Sequence, residues 1–506
     1  MLGCELTNHH RRWEQSRNPT ITHIPHHSAV AAMQLMPHTT LLAASLQYGV
    51  VSRSYPLSGK VLRGFLDASG TVNGLGIGNP NAEFSPHVSS IALASDGGTA
   101  KVLWGFRNGE VAVTTALRAM DHNRTSAARL VRCRLGDCHE GAVESLAWAS
   151  GGEGSVLFVS GGADGRVKLW EAKNTLSCLW TSDKGASLVP DPCVKVVMDL
   201  RQGAISAGLR SGGILVWTGF PGLQGEALDT TTLEPRELRI PPPAIPSPPS
   251  GSPPLEHTAQ ELTELHIVPQ GDRLSLLVAY HPSPFFHRFS WNAATDSFDR
   301  TLFGEDDAAP IRALLPVWAT RQGEGNFVIT GDQLGNISIF PWPASPSLSP
   351  SVSASSSVGA VAISAARRFA AHEGAVTALA WNSAVLVSGS ARGTVKAWDA
   401  LTFAHFRTFA SPSSRPLAGG EWEPVNQILL ERDAVIVSVG SKVLAWKAGP
   451  AGKHPGAGKG KVRASSGRAS HGVAKWQREW FFHTAFPFGV NDADADERLR
   501  ITDRTN

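Results

Sequence analysis

The chain has 506 residues, of which 42% are hydrophobic and 18% are charged, and its formal net charge is +3 at pH 7. This composition excludes a wholly disordered chain, and no apolar run approaches the roughly 18 residues of a membrane-spanning helix. The start of the chain lacks the apolar core of a secretory signal, and its five cysteines are too few for a disulfide framework. We therefore expect a globular protein of the cytoplasm, the nucleus or both.

The positive charge is concentrated in one segment near the C-terminal end. Residues 448–475 contain six basic residues and no acidic one, which leaves the rest of the chain with a net charge of −3. Nucleic acid is therefore a disfavoured partner for the body of the protein. Residues 448–506 form a basic Gly/Ser/Lys-rich and then charged segment, and we expect a disordered tail there.

Short runs of alternating apolar and polar residues, joined by Gly-containing turns, recur along the chain. This period of two predicts β-strands rather than helices, and hence an all-β fold. Two copies match best, because HEGAVESLAW at 139–148 and HEGAVTALAW at 372–381 share eight of ten residues. Counting the weaker copies gives eight units, which span in chain order 27–54, 87–113, 139–171, 194–217, 261–289, 311–340, 372–399 and 425–446.

Three further segments complete the order along the chain. The last unit lacks a fourth strand, and a strand near Pro19–Ile24 is predicted to join it and so close the series. A Pro-rich insertion at about 233–258 and a Ser-rich insertion at about 343–363 interrupt the pattern. Neither composition sustains a strand ladder, so we expect both to be mobile loops.

One unit carries a set of polar residues that identifies its relatives. His139, Ser160, Asp164 and Trp170 stand where WD-repeat proteins place the same four residue types. Their hydrogen bonds to one another satisfy polar groups inside one unit, which is a structural and not a catalytic role. The chain thus resembles WD-repeat proteins, which implies a single β-propeller at 27–447 with seven or eight blades, eight by count.

The second strong copy keeps only part of this set. It has His372, Ser388 and Trp398, but Arg392 occupies the position of the aspartate. We therefore expect an incomplete hydrogen-bond network in that unit.

The resemblance also implies where partners bind. In WD-repeat proteins the residue before the position of the turn aspartate (Asp164 in the best copy) points towards partners. Here three of the units have Arg107, Arg210 and Gln333 at that preceding position. Together with Arg392, the two arginines are predicted to surround the mouth of the central channel. Arginine suits carboxylate and phosphate geometry, so the predicted partner is an acidic or phosphorylated protein segment; isolated, solvated arginines are the alternative.

Signatures of catalysis and of metal or cofactor binding fail on inspection. Cys133 and Cys138 form a lone C-x4-C pair, without the second pair of ligands that a zinc site needs. The GLGIG stretch at 74–78 lacks the spacing of a dinucleotide-binding loop. The histidine pairs at 9–10 and 26–27 have no carboxylate or thiol companions. The sequence therefore predicts no catalytic residue, no cofactor, no metal and no enzymatic activity.

A narrower resemblance concerns the segments that flank the repeats. The stretch HHRRWEQSRNPTITHIPHHS before the first unit and the GKGKVR…KWQ run after the last one are similar to fungal F-box/WD-repeat proteins. This resemblance implies a substrate receptor of a cullin-type (SCF) ubiquitin ligase in ubiquitin-dependent degradation. Residues 1–26 show no F-box and are interpreted as a linker, so binding of the ligase adaptor requires an F-box elsewhere in the full-length protein. The alternative is a general WD-repeat scaffold in RNA processing, chromatin or trafficking, in either case a monomer.

Overall fold

We describe a computed structural model of the protein. The described residues are 12–13, 19–24, 27–62, 64–68, 87–117, 120, 128–150, 156–183, 189–220, 235–242, 260–269, 273–319, 325–342, 362–382, 384–409, 422–431 and 433–449. Cys4, the histidines at 9–10, most of both insertions, and the tail from 450 onwards lie outside this part of the chain. Among the described residues no helix is both long and apolar enough to cross a membrane.

Eight antiparallel sheets, one for each repeat, form the blades of a β-propeller. The strands of a blade are named a to d, starting at the centre of the ring. In blades 1 to 4 they are Ala32–Met36, Thr40–Ser45, Val50–Tyr55 and the two short strands Lys60–Val61 and Leu66–Asp67; Val88–Asp96, Thr99–Phe106, Val111–Ala116 and Ala128–Arg132; Val143–Trp148, Leu157–Gly162, Val167–Ala172 and Leu176–Thr181; Cys193–Asp199, Ala204–Leu209, Ile214–Thr218 and Arg236–Ile240.

The second half of the ring follows the same plan. In blades 5 to 8 the strands a to d are Glu261–Ile267, Ser275–His281, Phe286–Asn292 and Ser297–Phe303; Ile311–Val317, Asn326–Asp332, Asn336–Trp342 and Arg367–Ala370; Val376–Trp381, Val385–Ser390, Val395–Asp399 and His405–Phe409; Val425–Glu431, Ala434–Val439, Lys442–Lys447 and Thr20–His23. The prediction of an all-β propeller is confirmed, and its blade number is eight. The remaining named elements are two short 3-10 turns, Pro56–Ser58 and Leu135–Asp137, and the short strand Ala362–Ile363.

The blades stand side by side in a ring because the apolar faces of neighbouring sheets pack against each other. Strand a of nearly every blade contacts strand a of the next, and blade 8 contacts blade 1. Since the strands alternate in direction, the b–c turns and the connections between blades share one face, here called the upper face. The a–b and c–d turns share the lower face.

The ring is closed by the N-terminal strand, which is strand d of blade 8. Thr20–His23 pairs antiparallel with Lys442–Lys447, with Ile21 opposite Leu444. Trp13 is only 3% exposed, and its ring meets the ring of Phe409 edge-on, with 5.9 Å between the ring centroids. The prediction of a closing strand near 19–24 is confirmed, but the interpretation of 1–26 as a linker is wrong for Trp13 and Thr20–His23. These residues belong to the propeller, because Trp13 buries apolar surface and Thr20–His23 completes a strand ladder.

Packing between blades requires a small residue in strand b. A Cβ on Gly389 of blade 7 would lie 2.3 Å from Cγ1 of Val425 in blade 8. Gly105 and Gly331 meet Val143 and Val376 of the next blade in the same way. Strand a of the next blade therefore sits directly against this backbone, which fixes the distance between neighbouring sheets.

Both predicted insertions are shorter than the sequence indicates. Arg236–Ile240 lies within the predicted Pro-rich segment, yet it pairs with Ile214–Thr218 and buries Leu238 and Ile240. At the end of the Ser-rich segment, Ala362–Ile363 pairs in parallel with strand d of blade 5. Both pieces form strands because apolar residues in them reach a free sheet edge, whereas the Pro and Ser content of their neighbours dominated the prediction.

Candidate functional site

A buried hydrogen-bond network holds the upper end of blade 3. His139 Nδ1 lies 3.1 Å from Asp164 Oδ1, and its Nε2 lies 2.7 Å from Ser160 Oγ. The Trp170 indole N–H donates to the same serine oxygen over 2.8 Å. All four predicted residues are thus in one chain of contacts, and all are 8% exposed or less. Their enclosure makes the network part of the scaffold below the face rather than part of the face.

The aspartate of this network is held in its charged form. Burial by itself raises the pKa of Asp164, but hydrogen bonds from His139 and from the backbone amides of Glu140 and Arg166 outweigh burial and hold that pKa at about 2. The amides belong to the connection before blade 3 and to the b–c turn. Asp164 therefore ties two loops of the upper face together.

The corresponding network in blade 7 is complete, although the sequence predicts otherwise. His372 Nε2 lies 2.8 Å from Ser388 Oγ, and Trp398 donates to that oxygen over 2.8 Å. His372 Nδ1 lies 3.0 Å from Thr394 Oγ1. A hydroxyl two residues after Arg392 thus replaces the missing carboxylate, and burial lowers the pKa of His372 to about 4.

Blade 6 stabilises its turn with an acid that sequence counting misses. In blade 3 the turn aspartate Asp164 lies six positions before the closing aromatic Trp170, and the same count from Phe340 selects Leu334, a residue that is 68% exposed. The acceptor is instead Asp332, which takes hydrogen bonds from the amides of Leu334 and Asn336. The signal for it is an aspartate at the end of strand b, directly before the turn.

The four predicted partner-binding residues all lie on turns of the upper face, and all are exposed. Arg210 Nη2 lies 3.5 Å from Glu144 Oε1, and Arg392 Nη1 lies 3.1 Å from Glu373 Oε2. Arg107 makes no ion pair within the described part of the chain. Two of the three predicted arginines, Arg210 and Arg392, therefore each lie beside a carboxylate, whereas Arg107 does not. Gln333 is held through its backbone N–H, which donates to Pro310 O.

The channel mouth is lined by residues that the sequence analysis misses. In seven blades strand a carries a β-bulge close to its upper end, at Ser89, Glu144, Val194, Thr263, Arg312, Thr377 and Asn426. A bulge re-aims a side chain, and all of these except Val194 line one of two cavities on the upper face. The bulges thus determine which side chains a ligand at the channel mouth would meet.

Each cavity has its own chemistry. The first, of about 860 Å³, is lined by Arg107, Glu144, Gln47 and small residues of blades 1 to 3. The second, of about 630 Å³, lies across the ring and contains Arg312, His281 and the partly exposed Trp422. Each cavity therefore combines a guanidinium group with polar or aromatic neighbours. In the described part of the chain no group of three or more His, Cys, Asp or Glu side chains is arranged to hold a metal ion.

Comparisons with known proteins agree with this architecture. The family model described as "WD domain, G-beta repeat" matches residues 132–171 and 363–399, which include strands a to c of blades 3 and 7 but not their strands d. No curated protein matches the chain significantly. The chain is similar in structure to the computationally designed Ika8 protein, with 18% identity, a TM-score of 0.51 and coverage of 85% of this chain and 100% of that one. It is also similar to Saccharomyces cerevisiae Sqt1, with 12% identity, a TM-score of 0.53 and coverage of 86% and 100%.

These findings define the class of protein. The chain contains WD40 repeats within an eight-bladed β-propeller, a combination that suggests a non-enzymatic scaffold for protein interactions. Similarity at these low identities concerns the fold alone.

Proposed function

We propose that the upper face of the propeller binds an acidic or phosphorylated segment of a protein partner, with Arg107 as its central contact. The observation that supports this proposal is the position of Arg107. Its exposed side chain lines the cavity of about 860 Å³ and has no ion-pair partner among the described residues. Glu144 lines the same cavity but lies beside Arg210. A carboxylate or phosphate entering there would gain charge-assisted hydrogen bonds without first displacing a partner of Arg107.

Binding of defined peptides tests this proposal. Acidic and phosphorylated peptide pools, each with its unphosphorylated or amidated counterpart, would be titrated against the wild type and Arg107→Ala. Loss of a charge-assisted hydrogen bond should weaken binding by about tenfold or more. Arg273→Ala, which removes an exposed arginine from the lower face, is the matched control and should bind like the wild type. Equal affinities of the wild type and Arg107→Ala would overturn the proposal.

The finer role that we propose is that of a substrate receptor in a cullin-type ubiquitin ligase. Its support is the resemblance of the flanking segments to F-box/WD-repeat proteins, together with a face suited to an acidic or phosphorylated sequence. Affinity purification of the full-length protein from cells should then recover a cullin and its adaptor with the partner. The alternative is a general scaffold in another intracellular complex. In that case the purification would recover the partner without the cullin or its adaptor, and Arg107→Ala would lose the partner.

A further inference from the structure

Two cysteine thiols face each other on the loop between blades 2 and 3. The Sγ atoms of Cys133 and Cys138 lie 3.7 Å apart, and the 3-10 turn Leu135–Asp137 reverses the chain between them. Both side chains are partly exposed, whereas Cys193 is fully buried. A shift of less than 2 Å would bring the two sulfurs to the length of a disulfide bond.

Both ends of this loop are fixed by the backbone of blade 2. The Cys133 N–H donates to Val111 O over 2.9 Å, and the N–H of His139, which follows Cys138, donates to Gly109 O over 2.9 Å. The Val111 N–H in turn donates to Cys133 Sγ over 3.2 Å. The thiols are therefore held close before any reaction, so that little chain entropy is lost when they join.

A lysine from blade 3 fixes the second half of the loop. The Lys168 ammonium group is buried and donates to the carbonyl oxygens of Asp137 and Cys138 over 2.8 and 3.1 Å. This contact ties the backbone of Cys138 to blade 3 as well as to blade 2. The arrangement is a fixed pair of sulfurs rather than two cysteines on a loose loop.

We propose that Cys133 and Cys138 form a reversible disulfide by exchange with a low-molecular-weight disulfide such as oxidised glutathione. This disulfide is a redox modification on the upper face, and the proposal does not depend on the function proposed above.

The exchange occurs in two balanced steps. Burial raises the pKa of Cys133 to about 12, so the reaction starts at Cys138. The Cys138 thiolate attacks one sulfur of the oxidised glutathione, whose S–S bond breaks and releases one glutathione thiolate. Cys133 then passes its proton to this thiolate and attacks Cys138 Sγ, which releases the second glutathione. Two electrons pass from the protein dithiol to the glutathione disulfide, and two molecules of reduced glutathione leave.

Cys178, on strand d of blade 3, offers a matched control. Its thiol is partly exposed, burial raises its pKa, and its sulfur contacts Thr181 Oγ1 at 3.4 Å. It has no second thiol in contact within the described part of the chain. Its reaction with oxidised glutathione can give only a mixed disulfide.

The experiment is a redox titration of the full chain in glutathione buffers, followed by acid quenching, alkylation and peptide mass spectrometry. Trypsin cleaves after Arg134, so the disulfide appears as a covalent link between the peptide ending at Arg134 and the peptide starting at Leu135. We expect this link in buffers at least about tenfold more reducing than those that modify Cys178. Cys133→Ser should instead accumulate a mixed glutathione disulfide on Cys138, and Cys178→Ser should leave the titration unchanged.

Two results would overturn the proposal. One is alkylation of both Cys133 and Cys138 across the buffers in which Cys178 is already modified. The other is stable glutathione on Cys138 in the wild type with no link to Cys133, since a resolving thiol at 3.7 Å should remove it. A melting curve of each variant verifies that the chain is folded during the titration.

Discussion

The indole N–H of Trp104 donates to Thr114 Oγ1 over 2.8 Å inside blade 2. In blade 3 the hydroxyl partner, Ser160, is on strand b and the indole, Trp170, is on strand c; the distance is again 2.8 Å. Blade 2 exchanges the two, because Trp104 is on strand b and Thr114 is on strand c. The same buried hydrogen bond therefore links the same two strands with its donor and acceptor reversed.

Removal of the Thr114 hydroxyl should destabilise the propeller. Thr114→Val keeps the shape of the side chain but leaves the buried Trp104 N–H without an acceptor, so the free energy of unfolding should fall by about 1–3 kcal/mol. Thr115→Val, one residue further along the strand and only partly buried, is the control and should change it by less than about 0.5 kcal/mol. Urea unfolding of both variants measures the difference. Equal stability of the two would show that the hydrogen bond contributes nothing.

A methyl group at Gly389 should push blades 7 and 8 apart. Its Cβ would also lie 2.6 Å from Val425 Cβ, an atom that cannot move without strand a of blade 8. We expect Gly389→Ala to lower the free energy of unfolding by about 1–3 kcal/mol. Gly136→Ala adds the same methyl group where no atom lies within 4 Å, and it should melt like the wild type. A wild-type melting temperature for Gly389→Ala would contradict close packing at this contact.

Acid should lower the free energy of unfolding at pH values well above those at which carboxylates titrate. Burial lowers the pKa of His372 to about 4 and, together with the charge of Arg300, that of His287 to about 3. Between the ordinary value of 6.5 and these values, the unfolded chain binds protons that the folded chain cannot. The free energy of unfolding should thus fall with decreasing pH, by up to about 1.4 kcal/mol per pH unit for each histidine.

Urea unfolding between pH 7.5 and 4.5 measures this slope. His372→Gln removes one of the two titrating groups and should flatten the curve in that range. The exposed residue His38 has a φ of 63°, which asparagine tolerates, so His38→Asn serves as the surface control. An unchanged slope in His372→Gln would refute the link between burial of this histidine and acid sensitivity.

The closing strand should be replaceable by a peptide. A chain without residues 1–24 exposes the edge of Lys442–Lys447, so we expect a lower melting temperature and self-association, whereas a chain without residues 1–11 should behave like the wild type. A synthetic peptide of residues 12–24 should bind the shorter chain and restore its melting temperature. Identical melting of the two truncated chains would mean that the strand contributes little to closure.

The number of blades was predictable because it depends on local patterns. Each blade repeats an alternation of apolar residues and a Gly-containing turn, and these survive even where the key polar residues change. The closing strand was predictable for a related reason, since a last unit with three strands leaves one sheet edge open. The Arg236–Ile240 strand was missed because its two buried residues, Leu238 and Ile240, precede a run of prolines.

The candidate site was harder to predict because its partners come from different blades. Glu144 belongs to strand a of blade 3 and Arg210 to the b–c turn of blade 4, so no spacing along the chain announces their contact. The replacement of a carboxylate by Thr394 was missed for a chemical reason. A histidine ring nitrogen can form a hydrogen bond with a hydroxyl as well as with a carboxylate, so residue identity at one position does not decide whether the network is complete.

The closure of blade 8 also determines when the newly made chain can complete its ring. Thr22 and Val443, which are hydrogen-bonded in the finished blade, are 421 residues apart. At the usual speed of synthesis, roughly 20 to 80 seconds pass between the appearance of the first strand and that of its partner. During this interval Thr20–His23 has no partner strand, and the blades at the two ends of the open arc each leave an apolar sheet face uncovered. Chaperones that cover apolar surface should therefore act on this protein until the ribosome has nearly finished.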